Sequence, residues 1–114
     1  MSLVKLKPRF KLWLETEDGY VFGPGSFKLL QGIQEKGNLK TIAEELKMSY
    51  RHAWGIIKEI EETLGKSILV THRGGKVGGG GAELTQKGEE LLEAYLKIKS
   101  DLNQMFSNFD FMEL

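Results

Sequence analysis

The segment from Lys47 to Lys76 constrains the fold of this chain more than any other part of the sequence. Ser49 has the side chain of a helix N-cap, whose hydroxyl accepts a hydrogen bond from the first turn. Apolar side chains then recur at three- and four-residue spacing, at Tyr50, Ala53, Trp54, Ile57, Ile60 and Leu64. Because this spacing places them on one face of a helix, we predict an amphipathic helix that ends at Gly65.

The opposite face of this predicted helix is basic in its first turns and acidic in its last. It carries Arg51, His52, Gly55, Lys58, Glu59 and Glu62. A helix that enters the major groove of DNA near its N-terminus has this asymmetry, because DNA phosphates repel carboxylates. Gly55 costs the helix about 1 kcal/mol relative to alanine, which close approach to a base or a phosphate would explain. The alternative is an ordinary amphipathic helix with a solvated outer face.

A shorter apolar pattern precedes this helix. Its members are Leu39, Ile42, Ala43 and Leu46, and the linker Lys47-Met48-Ser49 follows them. Three residues is about the length of the turn in a helix-turn-helix, so we predict that motif from about Lys40 to Leu64, with Met48 buried. Glycine is common at the first turn position, where the chain becomes left-handed, and Lys47 there would be strained.

The N-terminal third of the sequence predicts a β-hairpin and a helix. Residues 10–15 alternate as a half-buried strand does, residues 17–19 form a turn signal, and residues 20–22 return as a second strand. We predict that Ser26 caps a helix that runs to about Lys36 and ends at Gly37. Residues 1–8 are expected to form a disordered or weakly ordered arm.

Two short strands joined by a glycine-rich segment are predicted after the helix-turn-helix. The strands are residues 68–70 and 82–84, and six of the eight residues from Gly74 to Gly81 are glycine. The segment lacks both the Gly-Lys-Ser/Thr sequence of a phosphate-binding loop and the βαβ unit of a dinucleotide site. We interpret it as the tip of a wing, mobile without a partner, from which Arg73 and Lys76 reach DNA. A plain flexible hairpin is the alternative.

A long amphipathic helix is predicted for residues 86–109, capped by Thr85. Its apolar stripe contains Leu91, Leu92, Tyr95, Leu96, Ile98, Leu102, Met105, Phe106 and Phe109. Such a helix is about 36 Å long, and a domain of this size covers about half of it. A second copy would cover the rest, so we predict a homodimer. The predicted interface consists of Leu91, Tyr95, Ile98, Leu102, Met105, Phe106 and Phe109. The alternative is a terminal helix that packs entirely on its own core.

Composition indicates one soluble globular domain without catalytic chemistry. The 114 residues are 40% hydrophobic and 28% charged, with no cysteine and only two histidines, His52 and His72. There is no apolar run of membrane-spanning length, no signal peptide and no ligand spacing for a metal. We therefore expect a cytoplasmic protein that is not an enzyme, binds no cofactor or metal and has no membrane contact.

The net charge of zero argues weakly against binding to nucleic acid, but the distribution of charge argues for it. Residues 36–88 carry nine Lys or Arg against six acids, whereas residues 89–114 carry two Lys against six acids. A local basic patch, rather than the total charge, is the electrostatic feature of a DNA-binding protein.

The string from Met48 to Trp54, Met-Ser-Tyr-Arg-His-Ala-Trp, resembles the Met-Ser-Tyr-Lys/Arg-x-Ala-Trp segment of ModE-type molybdate-responsive regulators. The resemblance continues with Arg73-Gly74-Gly75, the glycines 78–81, and Leu84-Thr85-x-x-Gly88-x-x-Leu91-Leu92. The last pattern is shared with LysR-type regulators. This resemblance implies a winged helix-turn-helix that binds DNA as a dimer, with long helices pairing the copies. It implies that Ser49, Tyr50, Arg51 and the wing lie at DNA and that Trp54 is partly structural.

In that family a separate C-terminal domain binds molybdate, and this chain ends at Leu114, just past the long helix. We therefore expect no molybdate site and no effector domain in it.

Together these patterns predict a single domain, residues 1–114, of the mainly α class with small β (α+β). It is a winged helix-turn-helix with an N-terminal β-hairpin and a long C-terminal dimerisation helix, residues 86–109. We expect a transcriptional regulator that binds an inverted repeat in double-stranded DNA as a homodimer. The predicted DNA contacts are Ser49, Tyr50, Arg51, His52, Gly55, Lys58, Thr71, Arg73, Gly74, Gly75 and Lys76. The alternative is a winged-helix adaptor that binds other proteins and not DNA.

Overall fold

Four helices and three two-stranded antiparallel sheets make up residues 3–72, 81–109 and 111–114, which this computed structural model describes. The helices are α1 Pro24–Lys36, α2 Leu39–Glu45, α3 Tyr50–Leu64 and α4 Gln86–Ser107. The strands are β1 Lys5–Leu6, β2 Leu14–Thr16, β3 Gly19–Phe22, β4 Leu69–Thr71, β5 Ala82–Leu84 and β6 Met112–Glu113. The strands pair as β1 with β6, β2 with β3, and β4 with β5. The predicted fold class, α+β with a winged helix, an N-terminal hairpin and a C-terminal helix, is confirmed. Within the described ranges, no helix combines the length and the apolar content that crossing a membrane requires.

The predicted helix-turn-helix is confirmed as α2, a tight turn and α3. Lys47 has a φ of 59° and therefore occupies the left-handed position predicted for it. The Met48 amide donates to the Ala43 carbonyl at 2.9 Å, and its half-buried side chain packs against the core. Ser49 is the N-cap of α3, since its hydroxyl accepts a hydrogen bond from the His52 amide at 3.0 Å. This turn fixes where the first residues of α3 emerge.

Helix α1 begins two residues before the predicted cap. Its N-cap is Gly23 and its first residue is Pro24, whose fixed φ suits that position. Ser26 is buried in the first turn instead, where its hydroxyl accepts a hydrogen bond from the Gly23 amide at 2.9 Å. The prediction that Ser26 is the N-cap is therefore wrong, while the predicted end at Gly37, a left-handed residue with φ 65°, is confirmed.

The N-terminal hairpin is shorter than the alternating pattern predicts. Strand β2 begins at Leu14, and the register with β3 shifts between Leu14 and Glu15. Residues 10–13 lie against α4 instead: the Phe10 ring is 4.8 Å from the Phe106 ring, and the Leu12 carbonyl accepts a hydrogen bond from Tyr95. The predicted strand over residues 10–13 is therefore wrong, because these contacts with α4 replace a strand partner.

The expectation of a weakly ordered arm over residues 1–8 is wrong for its central part. Strand β1 pairs with β6, with Lys5 opposite Glu113 and Leu6 opposite Met112. Val4 and Leu114 extend the pairing, since each backbone amide donates to the other residue's carbonyl, at 2.9 and 3.1 Å. This sheet brings the two ends of the described chain together.

The base of the wing packs on both α1 and α4. The Ala82 amide donates to the Gly37 carbonyl at 2.8 Å, which attaches β5 to the end of α1. A Cβ on Gly88 would lie 2.4 Å from the Ile68 carbonyl oxygen, so only glycine permits this approach of α4 to the residue before β4. Thr85 caps α4, as predicted, by accepting a hydrogen bond from the Gly88 amide at 3.1 Å.

Candidate nucleic-acid interface

The first two turns of α3 present a basic outer surface. Arg51, His52 and Gly55 are exposed there, and the first turn contains no acidic residue. Ala53, Ile57 and Ile60 are buried, so the helix is anchored by its apolar face as the spacing predicts. The positive end of the helix dipole lies at the same turns. This surface combines fixed geometry with positive potential.

An aromatic stack extends the surface along α3. The Tyr50 ring stands edge-on to the Trp54 ring, with centroids 6.2 Å apart, and the Lys58 ammonium lies 5.3 Å from the Trp54 centroid. Tyr50 is 50% exposed at the start of the apolar face, whereas Trp54 is half-buried against the core. Tyr50 is therefore available for contact beside Arg51.

The Lys58 side chain is exposed, and it contacts two other residues of α3. Its ammonium lies 3.3 Å from the Glu61 carboxylate, in addition to its contact with Trp54. The Lys58 side chain is exposed although the Glu61 carboxylate is half-buried, so the ammonium is also accessible to partners in solvent. Lys58 lies two turns after the basic end of α3, further from the cap than the other predicted contacts.

The wing base is joined to α3 through Glu61. Its carboxylate accepts hydrogen bonds from the Ile68 amide at 2.9 Å and from the Ser67 hydroxyl at 3.2 Å. Burial alone would raise the pKa of Glu61, but the Ile68 amide and the Lys58 ammonium together lower it below its usual value. The ionised carboxylate thus positions the strand that leads into the wing.

Of the five wing residues predicted to contact DNA, the structure describes one. Thr71 ends β4 with an exposed side chain. The neighbouring His72 is also exposed; its amide donates to the Gly81 carbonyl at 2.8 Å, and its Nε2 lies 3.6 Å from a Glu83 carboxylate oxygen. Arg73, Gly74, Gly75 and Lys76 lie outside the described residues.

Helix α4 ends at Ser107, two residues before the predicted end, so Phe109 lies just beyond it. The predicted interface residues divide into exposed, half-buried and buried ones. Ile98, Met105 and Phe109 are exposed, and Leu91, Leu102 and Phe106 are half-buried. Tyr95 is only 2% exposed and belongs to the core of its own chain. Its hydroxyl donates to the Leu12 carbonyl at 2.9 Å and its ring packs on Phe27, and burial raises its pKa. Tyr95 is therefore not an accessible interface residue, and the prediction that it is one fails because its ring fills the core.

The sequence pattern misses an apolar surface at the ends of the chain. Strands β1 and β6 and their neighbours expose Leu3, Val4, Leu6, Phe111, Met112 and Leu114. Strands of two residues have no periodicity from which they could be found. As for metals, the residues within the described ranges include no group of three or more His, Asp or Glu placed to hold an ion.

Known proteins resemble the chain over most of its length. No protein-family model matches it. It is 33% identical over 92 residues to the molybdenum-pterin-binding protein MopB of Rhodobacter capsulatus, which is 81% of this chain and 34% of that protein. It is 37% identical over 84 residues to the transcriptional regulator ModE of Yersinia pestis, 74% of this chain and 32% of that protein. The DNA-binding transcriptional dual regulator ModE of Escherichia coli is 34% identical, with the same coverage.

The chain spans about a third of the length of these relatives, and the match falls in their N-terminal region. The predicted resemblance is thereby confirmed. The chain is a homologue of the ModE-type regulators, related to their N-terminal region over most of its own length.

Proposed function

We propose that this chain is a sequence-specific DNA-binding transcriptional regulator that inserts α3 into the major groove. Two of its relatives are transcriptional regulators by name, which supports a regulator, and the exposed N-terminal face of α3 supports DNA as the partner. That face is the observation on which the proposal rests. It brings an arginine, a histidine and a glycine to the surface at the positive end of a capped helix, with no carboxylate in the first turn.

Residues of α3, its N-cap and the wing have distinct roles in the proposal. Arg51 donates two hydrogen bonds to one guanine, the commonest specific contact in the major groove. Ser49, Tyr50 and Thr71 contact phosphates of the DNA backbone and so fix the position of the protein on the duplex. Beyond the described residues, Arg73 and Lys76 extend these phosphate contacts from the wing.

Gly55 supports close approach of the helix to DNA. A Cβ built on it meets nothing within 4 Å, so packing inside the chain does not require a glycine there. The helix nevertheless forgoes the roughly 1 kcal/mol that alanine would contribute. A base or phosphate that comes close to the helix backbone explains why the position is left without a side chain.

The proposed regulator is a homodimer that pairs through α4. The exposed residues Ile98, Met105 and Phe109 and the half-buried Leu91, Leu102 and Phe106 form the contact, and Tyr95 is left out of it. At about 25 cal/mol per Å² of apolar surface, burial of a few hundred Å² per copy contributes several kcal/mol before the cost of association. Two copies related by a two-fold axis place their α3 helices about 34 Å apart, so the site is an inverted repeat.

The experiment is selection of bound fragments from the source genome, followed by affinity measurements on the selected site. We expect an inverted repeat, and we expect Arg51→Ala to weaken binding by about 1–3 kcal/mol and to relax preference at one base pair. Lys97→Ala is the matched control, because Lys97 is an exposed cation on α4 paired with Asp101. Equal affinity and equal preference of parent and Arg51→Ala would contradict the assignment.

A protein-binding adaptor is the second candidate, and two observations favour it. The net charge of the chain is zero, and α4 and the strand pair β1–β6 expose apolar side chains. The selection experiment described above distinguishes the regulator from the adaptor, because the two predict different outcomes. If no sequence is enriched and the chain binds duplex DNA no better than a neutral protein does, the adaptor replaces the regulator.

A further inference from the structure

A groove of about 380 Å³ lies between residues 7–12, the first turn of α1 and the second half of α4. We propose that it binds a small organic anion with a flat aromatic body. This volume is within the range of sites that take small-molecule ligands. The proposal concerns a second ligand and does not depend on DNA binding by α3.

The walls of the groove are aromatic. They are formed by Phe10, Phe27, Tyr95 and Phe106. Phe10 packs on Phe106 and Phe27 packs on Tyr95, each pair with ring centroids 4.8 Å apart. Phe27 and Tyr95 are buried in the core, so the floor of the groove is held rigidly. The half-buried rings of Phe10 and Phe106 offer stacking and edge contacts to a planar ligand.

Five cations surround these rings. They are Lys7, Arg9, Lys11, Lys28 and Lys99. No carboxylate lines the groove, and none of the five forms an ion pair with another residue of the described ranges. The Lys99 ammonium lies 4.7 Å from the centroid of the Phe27 ring, above one of the aromatic walls. Uncompensated cations around an apolar floor favour a ligand that has negative charge and an apolar body.

The groove lies at the end of α1 that is opposite the wing base. Pro24 and Phe27 of its lining belong to the first turn of α1, while Gly37 at the other end contacts the wing base. The 13 residues of α1 separate the two ends by about 20 Å. On α4, Gly88 touches the residue before β4, and Asn103 of the groove lies about 22 Å further along. The groove therefore lies away from the wing base along both helices.

Helix α4 presents the groove and the proposed dimer contact on neighbouring faces. Tyr95, Lys99 and Phe106 line the groove, and Ile98 and Met105 lie about a quarter turn away around the helix. A ligand in the groove would thus contact the side of the helix next to the dimer contact. Phe106 belongs to both the groove and the proposed dimer contact, so pairing of the chains would restrict access of the ligand at that residue.

The test uses three probes that separate charge from ring contacts. They are anilinonaphthalenesulfonate, the neutral phenylnaphthylamine with similar rings, and inorganic phosphate. Titration of the full chain, followed by fluorescence and calorimetry, should show one saturable site for the sulfonate. The neutral amine and phosphate should each bind roughly tenfold more weakly than the sulfonate. The amine lacks the negative charge that the cations recognise, and phosphate lacks the rings that contact the aromatic walls.

Variants locate the site and control for adventitious binding to other apolar surfaces. Lys28→Gln with Lys99→Gln should weaken the sulfonate by roughly tenfold, whereas Lys97→Gln on the same helix should leave its affinity unchanged, because Lys97 does not line the groove. Unfolding curves check each variant. If loss of the Lys99 contact with Phe27 prevents folding, the exposed Lys28→Gln alone gives the answer.

Three results would overturn the proposal. The first is equal affinity for the sulfonate and the neutral amine, which would mean apolar contact only. The second is unchanged affinity in the Lys28 and Lys99 variants, which would place the probe elsewhere. The third is failure of the parent to bind the sulfonate saturably, as expected if a second copy of the chain fills the groove.

Discussion

The carboxylate of Glu61 accepts a hydrogen bond from the backbone amide of Ile68 at 2.9 Å, seven residues further along the chain. Ile68 is fully buried, and β4 begins immediately after it. The same carboxylate also accepts from the Ser67 hydroxyl. One side chain in the last turns of α3 therefore determines how the strand that enters the wing is oriented relative to the helix.

Removal of this carboxylate should destabilise the fold. Glu61→Ala leaves the Ile68 amide without its acceptor in a site that water reaches poorly, so we expect a loss of about 1–3 kcal/mol in the free energy of unfolding. Chemical denaturation measures it. Glu62→Ala is the matched control, since Glu62 is exposed and should change stability by less than about 0.5 kcal/mol. Equal effects of the two substitutions would show that the Glu61 contacts contribute nothing.

The same interaction should make stability depend on pH. The folded pKa of Glu61 lies below the usual value of 4.5, so its contribution is present above that value and is lost as pH falls through the folded pKa. The stability difference between parent and Glu61→Gln should thus be largest near neutral pH and shrink in acid. Denaturation curves across this range test the sign; a difference that grows in acid would contradict it.

Gly55→Ala should separate stability from DNA binding. We expect the free energy of unfolding to rise by about 0.5–1 kcal/mol, because alanine is the better helix former and a Cβ at this position meets nothing. DNA affinity should fall, because the same methyl group would hold the helix away from the groove. Gly25→Ala is the control: Gly25 also has open space around its Cβ position, but it lies in the first turn of α1.

The outcome that would contradict this role for Gly55 is unchanged or improved affinity of Gly55→Ala for the selected site. Such a result would mean that neither packing within the chain nor DNA binding requires a glycine at position 55. Affinity should be measured at more than one salt concentration, since phosphate contacts weaken as salt is added.

Charges on the exposed apolar side chains at the C-terminal end of α4 and just beyond it should prevent pairing. Met105 and Phe109 are 56% and 57% exposed, so Met105→Glu with Phe109→Glu should keep the fold and yield a monomer with weaker affinity for an inverted repeat. Sedimentation equilibrium measures the mass of the particle. Ser100→Glu, on an exposed position around the helix from these two, is the control and should remain a dimer. A parent that sediments as a monomer at tens of micromolar would contradict the proposed dimer.

Features with local causes were predictable from the sequence. The caps Ser49 and Thr85 and the left-handed Lys47 depend on residues within one turn of themselves, and each is found where it was predicted. The apolar spacing of α3 likewise identified Ala53, Ile57 and Ile60 as buried.

Features that depend on distant contacts were not predictable. Tyr95 lies on the apolar stripe of α4, but only the fold shows that Leu12 and Phe27 surround it. The alternation over residues 10–15 resembled a strand because residues that pack on a helix from one side alternate as well. The five cations of the groove are spread from Lys7 to Lys99, so no window of sequence contains them.

Pairing of β1 with β6 determines how the chain would respond to force. Lys5 lies opposite Glu113 and Leu6 opposite Met112. Because the two strands are antiparallel, the N-terminal end of β1 and the C-terminal end of β6 lie side by side at the same end of the sheet. A load that pulls the two termini apart therefore acts across the ladder and opens its hydrogen bonds one after another, beginning with those between Val4 and Leu114. The sheet would unzip at low force while α1, α2 and α3 remain folded, and optical tweezers would record its opening as a separate first step.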